Sequence, residues 1–298
     1  MKGFMRDGGV VRGTSIAGSS AVKRRPGVLD PGSTFLFLLV LGLLFLLPIA
    51  VLVLYAGARS WQFPQLLPRG FSLRAVEFVG RQYGAIAASL LSSVLYSLAV
   101  VALSFLLTVL PARALAWYPL PLKGVIEALF LSPALLPVMT FSMGAHVLLL
   151  RLRLSDTWVG VVAVLTVFAY PYMLRSLSAG YQRISPDYTV TARNLGAGFW
   201  TSLLRVEMPM LLPAFGAGAS VVFLVAFSEY FLVFLVGGGA VASYTGYLVP
   251  FLKSSDLQIA SLLTLLFLIV PLVLFFILER WMSAVFSKRG LNNGADKP

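Results

Sequence analysis

Few side chains in this 298-residue sequence are equipped for chemistry, and their spacing narrows what they could do. Glu229 is the one carboxylate well inside an apolar run, since Glu127 stands at the edge of its own. An acid in apolar surroundings is costly unless paired, which makes Glu229 a candidate for a pairing or gating role. The competing reading is a hydrogen-bonded or protonated group near an interface. The sole histidine, His146, reads as a packed side chain, and there is no cysteine. Disulfides, thiolate metal sites and histidine clusters are thereby excluded, and a histidine-activated nucleophile has no support. Hydroxyls are better organised: Ser89, Ser93, Ser97, Ser104 and Thr108 follow spacings of 4, 4, 7 and 4. On a helix they share an arc of about 100°. Such a face either packs closely against another helix, its hydroxyls bonding neighbouring backbones, or lines a polar path. Ser89, Ser93, Ser97 and Glu229 are the candidates for the second role.

The elements that must position these residues are set by composition. The chain is 59% hydrophobic and 11% charged, against about 25% charged in soluble domains. Phe35 to Tyr55 holds no charge over 21 residues, which at helical rise is about 31 Å, the thickness of a bilayer core. An all-α membrane protein follows. Six runs pass the length test: roughly 35–56, 85–110, 126–150, 158–174, 210–236 and 259–278. Prolines lie inside most of them (Pro48, Pro133, Pro137, Pro171, Pro213, Pro271), and membrane bundles tolerate this where neighbours satisfy the freed carbonyls. The polar stretch 1–33 does not read as a cleavable signal. Lys23, Arg24 and Arg25 read instead as an anchor before a retained helix.

The net charge of +12 does not argue for nucleic acid, because the basic residues flank apolar runs. With the N-terminus inside, sixteen Lys and Arg fall in inner segments and seven in outer ones. Both termini are therefore expected in the cytoplasm, with loops 57–84, 151–157 and 237–258 outside. The outer Gly237-Gly238-Gly239 turn and the residues to Asp256 read as flexible. The expected organisation is a cytoplasmic tail over 1–33, a first helix with its outer loop over 34–84, a core domain over 85–280, and a cytoplasmic tail over 281–298.

The long inner connection 175–209 reads as folded. Ser185-Pro186-Asp187 has the grammar of a helix start, and Gly196 sits where a left-handed cap wants glycine. Tyr188, Ala192 and Leu195 fall at i, i+4 and i+7, one apolar stripe on a short helix. Phe199 to Val206 is a second amphipathic stretch, leading to Met208-Pro209. The pair of helices either packs back on its own bundle or docks on a soluble partner.

Val190 to Ala197, followed by Val206-Glu207-Met208-Pro209, resembles the EAA signature of binding-protein-dependent ABC importer permeases. That signature reads Glu-Ala-Ala, three residues, Gly, nine residues, Ile-x-Leu-Pro. Gly196 and Pro209 are in register, with Val206 and Met208 at the aliphatic positions; Val190 replaces the glutamate and Thr191 the first alanine. The similarity extends over about 85–280, through Pro133, Pro137, Ala169-Tyr170-Pro171-Tyr172 and Ser228-Glu229, and looks most like the thiamine, iron, polyamine or sulfate-type branch. The resemblance implies a permease subunit in the cytoplasmic (inner) membrane of a bacterium or archaeon. It pairs with an identical or paralogous permease around a central path. Two ABC ATPases would dock on the loop through Tyr188, Thr191, Ala192, Leu195, Gly196 and Pro209, and an extracytoplasmic solute-binding protein would deliver solute. The chain has no Gly-Lys dipeptide and hence no Walker A loop. ATP and magnesium are therefore expected on the partner ATPase, with no cofactor and no catalysis on this chain. The alternatives are a secondary transporter or channel, which would show paired repeats or rings of charge, and a membrane enzyme, which would need clustered acids or a nucleophile pair.

Overall fold

The computed structural model of the protein describes residues 31–288 apart from 60, 62–64, 66 and 69. The basic anchor at Lys23-Arg24-Arg25, residues 1–30 of the expected tail, and 289–298 lie outside the described residues. Lipid offers the backbone no hydrogen-bond partners, so an apolar chain of this kind satisfies its amides within helices. Every regular element among the described residues is helical, and the one extended pairing is the isolated bridge Ala58–Phe71.

Residues 31–48 form a unit of their own, most of α1 (Pro31–Gly57), with Phe35 to Leu47 presenting exposed leucines and phenylalanines. The second unit starts at Ile49. Its elements are α2 (Arg74–Arg81), α3 (Tyr83–Trp117), α4 (Lys123–Leu131), a 3-10 turn (Ser132–Leu135), α5 (Val138–Arg151), α6 (Trp158–Gln182), α7 (Asp187–Asn194) and α8 (Phe199–Ser202). A π turn (Leu203–Glu207), α9 (Met208–Ser228), α10 (Phe231–Gly237), α11 (Tyr244–Lys253) and α12 (Leu257–Lys288) follow. Among the described residues five helices are long and apolar enough to cross a membrane: α1, α3, α6, the continuous run Phe199–Ser228, and α12 to Arg280. The pair 123–135 and 138–151, bent by 94°, is a sixth candidate. The chain is a multi-pass membrane protein.

The core of the second unit lies where α6 packs on α3 and α9. Tyr96, Leu165, Met173, Leu177, Phe223 and Phe227 are fully buried there. Small residues bring α6 and α9 together: a Cβ on Gly180 would stand 2.5 Å from that of Ala214. Ser176 Oγ donates to the Ala214 carbonyl at 2.6 Å. Membrane helices pack by such close approach because lipid supplies no hydrophobic drive to bring them together.

Four expectations are corrected. The helix expected to end at Leu110 continues through Pro111 to Trp117. The run 126–150 is two helices broken at Ser132–Pro137, where Pro133 and Pro137 interrupt the ladder. Ser132 Oγ donates to the Leu129 carbonyl that Pro133 cannot bond (2.8 Å), and Tyr170 OH donates to the Phe130 carbonyl (2.7 Å). The run 210–236 starts earlier, at Phe199, and breaks at Glu229-Tyr230. The segment read as flexible, 237–256, holds α11. Ser243 Oγ accepts the Gly246 N–H (3.0 Å) to start it, and buried Tyr244 donates through its hydroxyl to the Leu263 carbonyl (2.7 Å).

Candidate functional site

The connection between α6 and α9 is folded throughout. Ser185 Oγ accepts the Asp187 N–H at 3.3 Å, and the Pro186 carbonyl takes the N–H groups of Thr189 and Val190. The start of α7 is thus capped, with Asp187 beside its positive end. Gly196 has φ +87°. Its N–H donates to the Arg193 carbonyl (2.9 Å) and that of Ala197 to the Ala192 carbonyl (3.0 Å). Those two bonds are a Schellman cap, which needs a left-handed residue. Along α7 only Thr189 is buried. Tyr188, Val190, Leu195, Trp200 and Leu204 are all more than half exposed, Leu195 the most at 84%. Thr191 is exposed, while Ala192 and Pro209 are partly covered. The stripe expected from Tyr188, Ala192 and Leu195 therefore does not turn inward; Thr189 does.

Thr189 leads to a polar cluster that the sequence did not single out. Its Oγ1 donates to Glu207 Oε1 at 3.2 Å, and Tyr181 OH donates to Oε2 of the same carboxylate, also at 3.2 Å. Arg113 Nε lies 3.0 Å from Oε2, yet its N–H is not aligned for a hydrogen bond, so the attraction is Coulombic. The Arg113 and Glu207 side chains are 10% and 2% exposed. The guanidinium lies 5.0 Å from the Trp117 ring centre and 5.5 Å from that of Phe199, within cation–π range of both. Trp117 Nε1 donates to the carbonyls of Tyr181 (2.9 Å) and Ile184 (3.2 Å), at and just beyond the end of α6. Five segments meet here: α3, α6, α7, α8 and the π turn.

Glu229 sits elsewhere, at the break between α9 and α10. Its Oε1 accepts the N–H groups of Phe231 and Leu232, each at 3.1 Å, and so caps the start of α10. The serines of α3 are buried between helices, at 4% exposure for Ser89 and 0% for Ser93 and Ser97. Ser89 Oγ donates to the Ala85 carbonyl. Ser93 Oγ accepts the Tyr244 N–H at 2.8 Å and bonds Tyr96 OH at 3.1 Å, tying α11 to α3. The Ser97 and Ser104 hydroxyls have no partner among the described residues. All five hydroxyl residues of this face are buried, Ser104 at 0% and Thr108 at 1% exposure. Among the described residues no group of three or more His, Asp or Glu side chains could hold a metal ion.

No family model matches the chain. A permease protein named for a 2-aminoethylphosphonate transport system in Salmonella typhimurium is 29% identical over 171 residues, 57% of this chain. The matched stretch spans 63% of that relative's own length, less than two thirds. The sulfate transport system permease protein of Escherichia coli is 25% identical over 227 residues, covering 72% of this chain and 76% of the relative. Among solved structures, a bacterial ABC transporter involved in the import of the acidic polysaccharide alginate superposes with a TM-score of 0.66. It covers 83% of this chain and 94% of its own at 16% identity, a likeness of fold. In sequence the chain is similar to permease proteins of import systems, and in fold to a chain of a bacterial ABC transporter, in line with the resemblance noted at residues 190–209.

Proposed function

We propose that the chain is the permease subunit of an ATP-driven ABC importer, with six spans when the bent pair α4–α5 counts as one. Its termini face the cytoplasm. It works with a second permease, a separate ATPase that binds ATP and magnesium, and an extracytoplasmic solute-binding protein. Catalysis is left to the ATPase. The observation that carries this reading is the α7–α8 connection. It is capped at both ends, bonded to the bundle through Thr189, and presents Tyr188, Val190, Leu195, Trp200 and Leu204 outward. An isolated helix of this length is marginal in water, so a helix this exposed fits a surface that a soluble partner covers. The solutes named for the relatives differ in chemistry, so the proposal stops at import and assigns no solute. Within this reading Glu229, partly buried, and the buried Ser89, Ser93 and Ser97 are the candidates for the polar path.

Two experiments test it. Leu195→Asp and Ala192→Asp are made in the tagged permease and the ATPase is recovered by pull-down. Leu195 is 84% exposed, so a charge there does little to the chain alone. In a docked interface an unpaired buried charge costs several kcal/mol, and the ATPase should be lost at normal permease levels. An ATPase that stays bound to both variants refutes the docking role. For orientation, the natural absence of cysteine makes single substitutions clean probes. Ser254→Cys should react with an impermeant thiol reagent added to intact cells and Thr201→Cys should not; both positions are exposed. Labelling of Thr201→Cys from outside would invert the topology.

A further inference from the structure

The cluster around Glu207 does more than fill space. Four different segments reach one carboxylate or its partner, two by hydrogen bonds, one by a close charge pair and one through an aromatic face. Thr189 comes from α7, Tyr181 from the end of α6, and Arg113 from the end of α3, which is clamped between Trp117 and Phe199. Glu207 itself closes the π turn that opens directly into α9. A π turn inserts a residue into a helix and recurs where helices must present a side chain at an unusual angle. Here it delivers a charged side chain inward at the foot of α9, opposite an arginine carried on a stretch of α3 that continues past a proline.

Thr189 is the sole buried side chain of α7. The helix therefore has no apolar anchor of its own, and its grip on the bundle runs through the hydroxyl to Glu207. A push on α7 reaches α9 through the covalent link at Glu207–Met208, reaches α6 through the short 183–186 link and the Tyr181 bond, and reaches α3 through the Arg113 contact and the Trp117 bonds to the Tyr181 and Ile184 carbonyls. Buried polar networks are cooperative, and losing one member weakens the rest.

We propose that Arg113, Glu207 and Thr189 are positioning residues that lock the α7–α8 connection to the ends of α3 and α6, so that the connection and these helices move as one body. Under the function proposed above, this lock transmits ATPase movement to the spanning helices. Transmission from the ATPase rests on that reading; the lock itself does not.

The test is made first on the permease alone in nanodiscs, where no partner is needed. Spin labels are placed at Arg193→Cys on α7 and Leu106→Cys on α3, both exposed. Their separation is measured by pulsed electron paramagnetic resonance. The parent protein should give one narrow distance distribution. Thr189→Val keeps both members of the Arg113–Glu207 pair and removes the bond that ties α7 to it; the distribution should broaden about twofold as the helix opens locally. Glu207→Gln should broaden it at least as much. Arg113→Lys keeps the charge but loses the planar fork and the stacking, and should fall between parent and Glu207→Gln. Thermal midpoints are taken on the same samples. Thr189→Val should leave the midpoint near that of the parent, so its broadening cannot be general destabilisation. If Glu207→Gln does not fold, Thr189→Val decides. Unchanged widths in Thr189→Val would overturn the lock.

A second arm adds the ATPase with ATP and vanadate. In the parent the 193–106 distance should stay fixed, and in Glu207→Gln it should shift on trapping. A shift of the same size in the parent would also overturn the proposal. Failure of any ATPase to bind would sink the proposed function instead, with the partner-free arm still readable.

Discussion

Glu207 and Glu229 stand at the two ends of α9 and are used in opposite ways. Glu229 attracts attention in the sequence because apolar residues surround it, yet its carboxylate binds two backbone N–H groups immediately following it, a local helix cap. Glu207, at the end of an amphipathic stretch, is nearly inaccessible and bonds side chains 18 and 26 residues away while facing Arg113. A cap organises one helix start; a shared buried carboxylate organises several elements at once. The apolarity of the flanking sequence reports the first situation better than the second.

The comparison predicts unequal costs. Glu207→Ala leaves the Arg113 guanidinium buried without its counter-charge, which typically costs about 3–5 kcal/mol. It should sharply lower the thermal midpoint in detergent. Adding Arg113→Ala should cost less than the sum of the two single losses. Additive losses would mean that the pair is not coupled. Next comes the seam beneath the cluster. Gly180→Ala would put a Cβ 2.5 Å from that of Ala214, an overpacking worth about 1–3 kcal/mol. Gly84→Ala, with nothing within 4 Å, is the matched control and should be nearly silent. At the far end of α9, Glu229→Ala removes a cap and should cost about 1 kcal/mol. Gly196→Ala, forced to φ +87°, should cost a similar amount, roughly 1 kcal/mol, read as faster proteolysis of the 183–207 connection. Glu229→Gln keeps an oxygen for the two N–H groups and should change the midpoint least. A Glu229→Gln loss as large as that of Glu207→Ala would erase the distinction between the two acids.

The sequence was legible where one physical rule dominates. Long uncharged runs marked the membrane helices, and Ser185-Pro186-Asp187 with Gly196 marked α7, because caps are local chemistry. What was missed depended on tertiary compensation. The apolar run 85–110 stops short of Pro111, but the helix continues to Trp117, and that extra length lifts Arg113 out of a loop and into the cluster. The break in 126–150 needs Ser132 and Tyr170 to accommodate its loose carbonyls, and Tyr170 comes from 40 residues away. The π turn at Leu203–Glu207 has no sequence signature. Glycine at 237–239 suggested mobility, whereas α11 just beyond is held by Ser93 and Leu263. The hydroxyl face of α3 was recognised as a face, but whether it met helices or solute depended on what packed against it.

The central claim is that the exposed side of α7–α8 meets an ATPase. The direct measurement is cross-linking in native membranes from a single cysteine at Leu195, using a short bifunctional reagent and identifying the adduct by mass spectrometry. The chain carries no competing thiol. The account predicts one dominant adduct with a polypeptide that contains a Walker A sequence, and none from a cysteine at Ser254. Strong labelling of the Leu195 position with no such adduct, or an ATPase adduct from Ser254 instead, would contradict it.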